Sequence, residues 1–355
     1  MPERVLMKGN EALAEAAIQA GCRHFFGYPI TPQTELSAYM SKKMPKIGGV
    51  FLQAESEVAA INMVIGAAAA GVRAMTSSSS PGISLKTEGI SYLAGSDLPC
   101  VIVNVQRGGP GLGGIQPSQA DYWQATKATG HGDFRVLVFA PNTVQEMVDM
   151  VGTAFDLADE YRMPAMILAD GLLGQMMEPV VLSENGDLKL PEKPWATNGT
   201  GGKRARNVIN SLYIEPDVLE KTVRERYEKY AKIKDVHTQS ESYLTQDAEI
   251  VVVAYGAASR VAKTAVNQAR EKGIKAGLFR PITLWPFPER EIAALAKTAK
   301  KFLTVELSMG QMVDDVRLAV NGACPVEFFG RTGGIVASPA EVLSEIEKLA
   351  KGGAK

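Results

Sequence analysis

The stretch Leu52-Gln-Ala-Glu-Ser-Glu-Val-Ala-Ala-Ile-Asn-Met-Val-Ile-Gly66 places two carboxylates, Glu55 and Glu57, at the start of a small and apolar helix. From Val58 to Gly71 this helix carries no charge, so we expect it to be buried on nearly all sides. A carboxylate at the start of a buried helix is costly to ionise unless it has a partner. An acidic first turn that complements the helix dipole is the ordinary alternative.

The two carboxylates differ in the helix face that they occupy. Because they are two residues apart, they point to nearly opposite sides of the helix. Glu57 shares its face with apolar side chains that include Ile61 and Val64. We therefore predict that Glu57 is the more buried of the two and is the better candidate for a functional carboxylate.

Length and composition describe a soluble globular protein of two domains. The chain has 355 residues, of which 46% are hydrophobic, and its net charge is −1. No basic run is long enough to predict nucleic-acid binding. The longest uncharged stretch, from Val58 to Val72, is too short to span a bilayer comfortably, which argues against a membrane protein. The charged N-terminus does not have the pattern of a signal peptide, so we expect a cytoplasmic protein.

Cysteine and histidine are too few and too scattered to predict a metal centre. Cys22, Cys100 and Cys324 form no Cys-x-x-Cys pair, and the three histidines do not have metal-ligand spacing. Disulfides, zinc sites and iron–sulfur ligation within the chain are therefore unlikely, and the cysteines fit a reducing cytosol. We expect no metal to be held entirely by this polypeptide.

Helices and short β-branched runs alternate along most of the chain. This alternation predicts an α/β fold of two doubly wound, mainly parallel-sheet domains. The pattern breaks between about Met177 and Gln246, where prolines, glycines and one charged helix (217–234) indicate a connector or insertion. We predict a first domain over residues 1–178, a linker or insertion over 179–246 and a second domain over 247–355.

Ligands of open α/β sheets bind at the carboxyl ends of strands, and four such ends have unusual sequences. In Tyr28-Pro-Ile-Thr-Pro32, two prolines fix the position of the Thr31 hydroxyl, although Thr31 could also be a simple helix N-cap. Thr76-Ser-Ser-Ser-Ser-Pro-Gly82 could line a polar pocket or form an ordinary polar turn. It contains no Gly-x-Ser-x-Gly elbow, so we do not expect a serine nucleophile.

The third strand end combines an arginine with a glycine-rich loop. Gly109-Pro-Gly-Leu-Gly-Gly114 matches Gly-x-Gly-x-x-Gly, but Pro110 lies inside it and no acidic strand end follows at the expected distance. Dinucleotide binding is therefore a weak prediction. Arg107, just before the loop, is suited to hold a carboxylate with both arms of its guanidinium group, unless it forms an ion pair at a surface or subunit interface.

The fourth end, Arg280-Pro-Ile-Thr-Leu-Trp-Pro-Phe-Pro288, indicates a docking or domain-packing surface, and an exposed cluster of this kind would more often meet another chain than a substrate.

Four motifs together resemble those of one family. They are Tyr28-Pro-Ile-Thr-Pro32, Gln53-Ala-Glu-Ser-Glu-Val-Ala-Ala-Ile-Asn62, Arg107-Gly-Gly-Pro-Gly111 and Arg280-Pro-Ile-Thr-Leu-Trp-Pro286. The chain resembles the alpha-type subunit of the 2-oxoacid:ferredoxin oxidoreductases over nearly its whole length. Its serine run, Ser77-Ser-Ser-Ser80, and the segment Ile115-Gln-Pro-Ser-Gln-Ala-Asp121 are most similar to the 3-methyl-2-oxobutanoate (2-oxoisovalerate) type.

The resemblance implies a shared thiamine diphosphate site. It implies that the first domain is like a thiamine pyrimidine-binding domain and that the last is like a transketolase C-terminal domain. Glu57 would hydrogen-bond N1′ of the aminopyrimidine as the catalytic carboxylate, although the sequence alone leaves Glu55 open. Tyr28, Pro29 and Ile30 would also contact the cofactor. Thr31 and Arg107 would hold the 2-oxoacid, Arg107 by its carboxylate.

The chain lacks the other half of such a site. Thiamine enzymes bind the diphosphate through Mg²⁺ with a Gly-Asp-Gly motif and a downstream asparagine, and Ala169-Asp-Gly171 lacks the first glycine. The resemblance therefore implies that a beta-type subunit binds the diphosphate and Mg²⁺. It also implies a gamma-type subunit, a ferredoxin-like subunit that carries the iron–sulfur clusters, and ferredoxin and CoA as substrates of the complex. The alternatives are pyruvate or 2-oxoglutarate as substrate, a stand-alone dinucleotide-binding enzyme or a non-catalytic scaffold.

Overall fold

The computed structural model describes residues 4–182 and 188–352. The N-terminal half contains β1 (Arg4–Lys8), α1 (Gly9–Gln19), β2 (His24–Gly27), α2 (Thr34–Lys43), a 3₁₀ turn (Met44–Ile47), β3 (Val50–Gln53), α3 (Glu57–Ala69), β4 (Ala74–Ser78), α4 (Ser80–Gly95), β5 (Cys100–Gln106), α5 (Tyr122–Thr126), β6 (Leu137–Phe139), α6 (Val144–Tyr161), β7 (Pro164–Asp170), α7 (Gly171–Gln175) and β8 (Met177–Val181).

The C-terminal half follows a long irregular segment. It contains α8 (Pro216–His237), β9 (Ser240–Tyr243), β10 (Ile250–Val253), α9 (Gly256–Glu271), β11 (Ala276–Pro281), β12 (Thr283–Trp285), α10 (Glu289–Leu295), β13 (Lys301–Glu306), α11 (Met312–Val320), β14 (Val326–Gly330) and α12 (Pro339–Ala350).

Two mainly parallel sheets form the framework, which confirms the predicted α/β class. The first has seven strands in the order β12-β6-β7-β5-β4-β2-β3, and only β12 runs antiparallel. The second has five strands in the order β14-β13-β10-β11-β9, and only β9 runs antiparallel. Strands β4, β5 and β7 are buried along their whole length, because helices cover the sheet.

The order of the first sheet brings the candidate loops to one edge. Strands β2, β4, β5 and β7 are parallel neighbours, so their carboxyl ends lie side by side. The proline-rich turn, the serine run and the glycine-rich loop follow β2, β4 and β5 respectively. These three loops are therefore close in space although they are far apart in sequence.

The segment Arg280–Pro288 packs inside the chain, which supports the predicted packing surface and shows that the alternative, an exposed docking surface, is wrong. Strand β12 pairs with β6 and thereby extends the first sheet with a strand from the second half of the chain. Trp285 and Phe287 are buried, and Tyr230 of α8 packs edge-on against Trp285. Arg280 is buried and donates to both carboxylate oxygens of Glu146 at 2.9 and 2.6 Å. These contacts join the two halves of the chain.

Helix α3 is buried on one face only, which corrects the expectation that it is buried nearly all round. Glu57, Ala60, Ile61, Val64 and Ala68 form the buried face. On the opposite face, Val58, Asn62 and Gly66 are exposed. The lack of charge therefore reflects an exposed uncharged stripe as well as core packing.

No helix among residues 4–182 and 188–352 has the length and apolar character needed to cross a bilayer.

Candidate functional site

Ser56 and Glu57 set the start of α3, as the sequence predicts for a helix N-terminus. The Ser56 side chain caps the helix by accepting from the Ala59 N–H at 3.2 Å. Glu57 is the first helical residue and is only 6% exposed, whereas Glu55 is exposed. The buried carboxylate of this pair is therefore Glu57.

The Glu57 carboxylate lies against the first turn of α4. A Cβ atom at Gly82 would be 2.7 Å from Glu57 Oε1 and 2.1 Å from Ser78 Oγ. Only glycine leaves room there for both side chains. Seven residues along α4, a Cβ atom at Gly89 would be 2.5 Å from Ile61 Cγ2, so the two helices touch closely over two turns.

The serine run contains hydroxyl groups of two kinds. Ser77 donates to Gln33 Oε1 at 2.6 Å, and Ser80 donates to Asp121 Oδ2 at 2.5 Å. The buried hydroxyls of Ser78 and Ser79 have no hydrogen-bond partner. Buried polar groups in native proteins are nearly always paired, so these two hydroxyls are available to an ordered water or a ligand.

Arg107 connects the proline-rich turn with the glycine-rich loop. Its side chain is buried, and its terminal nitrogens donate to the Thr31 carbonyl at 2.9 Å and to the Leu112 carbonyl at 3.0 Å. Nε is buried and has no partner. Both partners are neutral carbonyl groups, so neither contact balances the guanidinium charge. A bound carboxylate would balance it.

The charge of Arg107 acts on the buried carboxyl group of Asp121. Burial raises the pKa of Asp121, while hydrogen bonds from Ser80 and Asn104 and the charge of Arg107 act in the opposite direction. Asn104 Nδ2 donates to Asp121 Oδ2 at 2.9 Å. The Ser80 hydroxyl also accepts from the Arg107 backbone N–H at 3.0 Å, so this network fixes the point where the glycine-rich loop leaves β5.

Two amide side chains hold the proline-rich turn, Tyr28–Pro32, in place by hydrogen bonds to its carbonyl groups. Asn10 Nδ2 donates to the Pro32 carbonyl at 2.8 Å, and Gln33 Nε2 donates to the Tyr28 carbonyl at 3.3 Å. Helix α2 begins at Thr34 with Gln33 at its N-cap, so Thr31 is not the N-cap. Thr31 is exposed beyond the turn. The Thr31 carbonyl, rather than its hydroxyl, contacts Arg107.

The second half of the chain anchors the far end of the glycine-rich loop. Gln119 is fully buried and makes four hydrogen bonds to the second half of the chain. Its N–H donates to the Leu307 carbonyl at 2.8 Å and its Nε2 to the Tyr255 carbonyl at 2.8 Å, while its Oε1 accepts from the Leu307 N–H at 3.0 Å and its carbonyl from the Tyr255 hydroxyl at 3.1 Å. The Tyr122 hydroxyl donates to Asp315 at 2.5 Å. Both ends of the loop are therefore fixed, while its middle is exposed.

The Asp170 side chain caps the N-terminus of α7. Its Oδ1 accepts from the Leu172 and Leu173 N–H groups at 2.9 and 3.1 Å, which caps α7, and burial raises its pKa. Within the described part of the chain, no cluster of three or more histidine, cysteine, aspartate or glutamate residues could hold a metal ion.

Sequence reasoning missed Lys86, Asp121, Gln33 and Asn104 as parts of this edge. Lys86 has a sequence signal, since it lies between Ile83 and Ile90 on the apolar face of α4. The other three are ordinary polar residues whose importance comes from contacts between distant segments, and no local pattern distinguishes them.

Comparison with known proteins places the chain among thiamine-dependent oxidoreductases. A family model for the thiamine diphosphate-binding region of pyruvate flavodoxin/ferredoxin oxidoreductases matches residues 15–243. A model of pyruvate:ferredoxin oxidoreductase core domain II matches residues 248–342. The ketoisovalerate oxidoreductase subunit VorB of Methanothermobacter marburgensis is 50% identical, over 97% of this chain and 97% of that protein. The 2-oxoglutarate synthase subunit KorA of Methanothermobacter thermautotrophicus is 38% identical, over 98% of this chain and 100% of that protein.

Two solved structures are similar in fold. The 2-oxoglutarate:ferredoxin oxidoreductase from Magnetococcus marinus matches with a TM-score of 0.88 at 26% identity, over 98% of this chain. The present chain spans 65% of that chain's length. A split-gene transketolase matches with a TM-score of 0.57 at 14% identity, which shows a common fold alone.

Proposed function

The chain belongs to the 2-oxoacid:ferredoxin oxidoreductase family, and we propose that it supplies the pyrimidine-binding half of a thiamine diphosphate site in a multi-subunit complex. The complex would catalyse the CoA-dependent oxidative decarboxylation of a 2-oxoacid, with ferredoxin as the electron acceptor. The observation that carries the proposal is the buried Glu57 carboxylate at the start of α3, beside two buried serine hydroxyls that have no partner.

The residues at this edge fit the cofactor. An aminopyrimidine ring presents a basic ring nitrogen, which would share a proton with the Glu57 carboxyl group, and an amino group that needs acceptors. The hydroxyls of Ser78 and Ser79 can donate or accept. Tyr28, Pro29 and Ile30 form a mainly apolar turn at the same edge, which suits the flat face of a ring. When bound, thiamine diphosphate supplies the nucleophilic carbon and the electron sink that 2-oxoacid decarboxylation requires.

Three side chains would do this chain's part of the chemistry. Glu57 would hold or exchange a proton at N1′ of the aminopyrimidine. Arg107 would bind the 2-oxoacid carboxylate through its guanidinium group, whose buried Nε has no partner, and Thr31 would contact the keto-acid head from the adjacent turn. Because Arg107 already holds the Thr31 carbonyl, the two substrate contacts would be fixed relative to each other.

Partner subunits would complete the site. The one acidic residue that resembles a Mg²⁺ ligand, Asp170, is occupied in capping α7. We therefore propose that a beta-type subunit binds the diphosphate and Mg²⁺, that a ferredoxin-like subunit carries the iron–sulfur clusters and that a gamma-type subunit completes the complex. The free cysteines of the chain are consistent with a cytoplasmic complex.

The substrate that we propose is a branched-chain 2-oxoacid, 3-methyl-2-oxobutanoate. The relatives with 50% identity are named ketoisovalerate oxidoreductase subunits, whereas those named for 2-oxoglutarate are at most 39% identical among the matches given. Residues 108–120, after Arg107, carry no charge. Lys127 is paired with Asp315 at 2.6 Å and is not available for a second substrate carboxylate.

The dinucleotide-binding alternative lacks the required structure. In the dinucleotide fingerprint, the last glycine opens a helix whose N-terminus binds the pyrophosphate. Here the loop is irregular, and the next helix, α5, begins only at Tyr122. The glycines serve the turn itself, since a Cβ atom at Gly113 would be 1.8 Å from the Gly108 carbonyl oxygen.

Glu57→Gln tests the proposal because it keeps the shape of the side chain but cannot carry the proton. In the reconstituted complex, we expect turnover to fall by roughly 10²-fold or more, as for a lost general acid–base group. Glu55→Gln is the matched control, since Glu55 is exposed and two residues away, and it should stay near wild type. A dead Glu55→Gln with an active Glu57→Gln would reverse the assignment.

Separate titrations of thiamine diphosphate and NAD(P), with and without co-expressed partner subunits, test the split site. The isolated chain should bind thiamine diphosphate poorly and should not decarboxylate 2-oxoacids, because it lacks the Mg²⁺–diphosphate half. Decarboxylation by the single purified chain with thiamine diphosphate and Mg²⁺ would exclude the split site. Tight NAD(P) binding would instead support the dinucleotide alternative.

A further inference from the structure

Lys86 of α4 is a fully buried lysine close to the candidate site. Lysine is almost never fully buried unless it is paired. Lys86 Nζ donates to the Thr76 hydroxyl of β4 at 3.1 Å, and a neutral hydroxyl cannot balance an ammonium charge. Burial lowers the pKa of Lys86 to about 8, and the Glu57 carboxylate acts in the opposite direction. The ammonium form is therefore still the main form at neutral pH, in a site that penalises it.

The packing of α4 against α3 places Lys86 between two points of close contact. Gly82 lies against the Glu57 carboxylate, and Gly89 lies against Ile61, one turn farther along α3. Lys86 is one helical turn after Gly82 and one turn before Gly89, so it lies on the same face of α4. Its ammonium group and the Glu57 carboxylate therefore share the interior between α3, α4 and β4.

Few other charges are available to Glu57 from the elements packed on α3. Strand β4 carries no charged residue. On α4, Glu88 is exposed and accepts from the Tyr92 hydroxyl at 2.7 Å. On β2, His24 is at the opposite end of the strand from the site. Within the described residues of these neighbouring elements, Lys86 is therefore the cation that acts on Glu57.

We propose that Lys86 is a positioning residue that keeps the Glu57 carboxylate ionised in the dry contact between α3 and α4, ready to accept the proton of the cofactor ring. The proposal rests on the proposed function of Glu57 and goes beyond it by assigning a partner charge. A positive charge nearby favours the ionised form of a buried carboxyl group. Burying an ammonium group without an ion pair lowers the stability of the fold, and Lys86 would then serve catalysis rather than folding.

The pH dependence of turnover in the reconstituted complex tests the charge of Lys86. Lys86→Met keeps the length of the side chain and removes the charge, so the pair formed by Glu57 and the cofactor ring should take up a second proton more easily. Activity should fall on the acid side as the pair gains this proton, and the acid limb should therefore move to higher pH by about 1 unit. The kcat should fall, while the KM for the 2-oxoacid should stay nearly constant because Lys86 does not touch the substrate. An unshifted acid limb would overturn the proposal.

Two control variants separate charge from packing. Thr76→Val removes the hydrogen-bond partner of Lys86 but leaves its charge, so it should shift the acid limb much less than Lys86→Met. Lys229→Met removes another lysine whose pKa is lowered by burial, but that lysine pairs with Asp97 at 3.1 Å, at the far end of α4. Lys229→Met should not shift the limb. A shift of equal size in all three variants would indicate a general structural effect and would contradict the proposal.

A double-mutant cycle on the cofactor-free full-length chain gives a readout that does not depend on activity. The unfolding free energies of Lys86→Met, Glu57→Gln and the double variant should not be additive, because each single change leaves the other charge without its partner. A shift of 1 pH unit corresponds to about 1.4 kcal/mol of coupling. Additive effects would mean that Lys86 serves only the hydrogen bond to Thr76.

If Lys86→Met does not fold, the proposal can still be tested by the unfolding free energy of the cofactor-free chain, measured as a function of alkaline pH. The pKa of Lys86 in the folded state, about 8, is below its unfolded value of about 10.4, so unfolding free energy should rise between these two pH values as the unfolded chain holds the extra proton. In Glu57→Gln the folded pKa should fall further, so the rise should begin at lower pH. The same onset in both proteins would overturn the proposal.

The two proposals can fail separately. An active Glu57→Gln complex would refute the function of Glu57, and Lys86 would have no catalytic carboxylate to position. An inactive Glu57→Gln complex together with an unshifted acid limb in Lys86→Met would refute the role of Lys86 alone.

Discussion

At the scale of single residues, Arg107 makes structural contacts and is also the residue that we propose for substrate binding, and the sequence could not separate these two tasks. Its terminal nitrogens hold the Thr31 and Leu112 carbonyls, which is a structural role. Its buried Nε and its charge have no partner in these contacts. The planar fork of a guanidinium group can serve both tasks at once, whereas a lysine ammonium group cannot.

Replacing Arg107 with lysine should therefore impair substrate binding more than folding. Arg107→Lys keeps the charge and loses the fork, so the KM should rise markedly for every 2-oxoacid tested. Steady-state kinetics of the reconstituted complex provide the measurement. Arg135→Lys is a suitable control, since Arg135 also donates to a backbone carbonyl, that of Thr126 at 3.4 Å. An unchanged KM with loss of complex assembly would instead favour an inter-subunit ion pair.

The sequence favoured Glu57 over Glu55 because Glu57 shares its helix face with apolar side chains, and the structure adds that Glu55 precedes the helix, which begins at Glu57. The burial of Lys86 could not be predicted, since lysine is normally a surface residue and its apolar spacing on α4 is also compatible with an exposed position. The unpaired hydroxyls of Ser78 and Ser79 were equally hidden, because a serine run has the same composition in a polar turn and in a pocket.

At the scale of elements, the long and periodic segments were predictable. Helix α6, Val144–Tyr161, is long and has one continuous apolar face. Strands β5, β10 and β13 coincide with short β-branched runs and are buried along nearly their whole length. Their patterns are local, since burial on both faces requires a continuous apolar run.

The missed strands are short and depend on distant partners. Strands β3 and β9 have four residues each, and β12 has three. Strand β12 lies in a proline-rich motif and exists because it pairs with β6, more than 140 residues earlier in the chain. A pairing of this kind leaves no periodic signal in the sequence, so the sequence left a docking surface and a domain-packing surface as alternatives for this motif.

The close contact of α3 and α4 leads to a prediction about Gly82. In Gly82→Ala the new methyl group would meet Ser78 Oγ and Glu57 Oε1, so the carboxylate must move. We expect the chain to remain folded and kcat in the reconstituted complex to fall by about 10-fold or more, since a misplacement of about 1 Å can cost far more. Circular dichroism and steady-state kinetics would measure the two effects.

Gly152→Ala is the matched control for Gly82→Ala. Gly152 also lies within a helix, α6, and a Cβ atom there would meet nothing within 4 Å. This change should leave activity intact and stabilise the chain by about 0.5–1 kcal/mol, as for a glycine replaced in an open helical position. Equal activity of both variants would mean that the position of Glu57 is not critical.

At the scale of the whole molecule, the second half of the chain supports the candidate site from outside it. Arg280 and β12 attach the second half to the first sheet, and Gln119 ties the end of the glycine-rich loop to β13 and α9 through Leu307 and Tyr255. The loop that carries Arg107 is thus fixed by two parts of the chain. This arrangement leaves the middle of the loop, where Leu112 is 84% exposed, free to face a substrate or a partner subunit.

The chemistry of that loop bears on substrate choice. Leu112 and Ile115 are exposed apolar side chains beyond Arg107, and residues 108–120 carry no charge. An apolar pocket discriminates weakly, by about 1–3 kcal/mol per methylene group, whereas burial of a second carboxylate without a cation is strongly disfavoured. Lys127, the nearest lysine along the chain, is paired with Asp315.

The reconstituted complex should therefore prefer 2-oxoisovalerate. We expect its kcat/KM to exceed that of pyruvate by about 10–200-fold, the range of an apolar pocket, and to exceed that of 2-oxoglutarate by more. Leu112→Ala should reduce the preference for the branched acid over pyruvate without abolishing turnover, because it removes apolar contact and leaves Arg107 in place. The Leu112 contact with Arg107 is made by the backbone carbonyl, which the substitution retains. A clear preference for 2-oxoglutarate would mean that a partner subunit supplies a cation to the pocket, and the substrate that we propose would then be wrong.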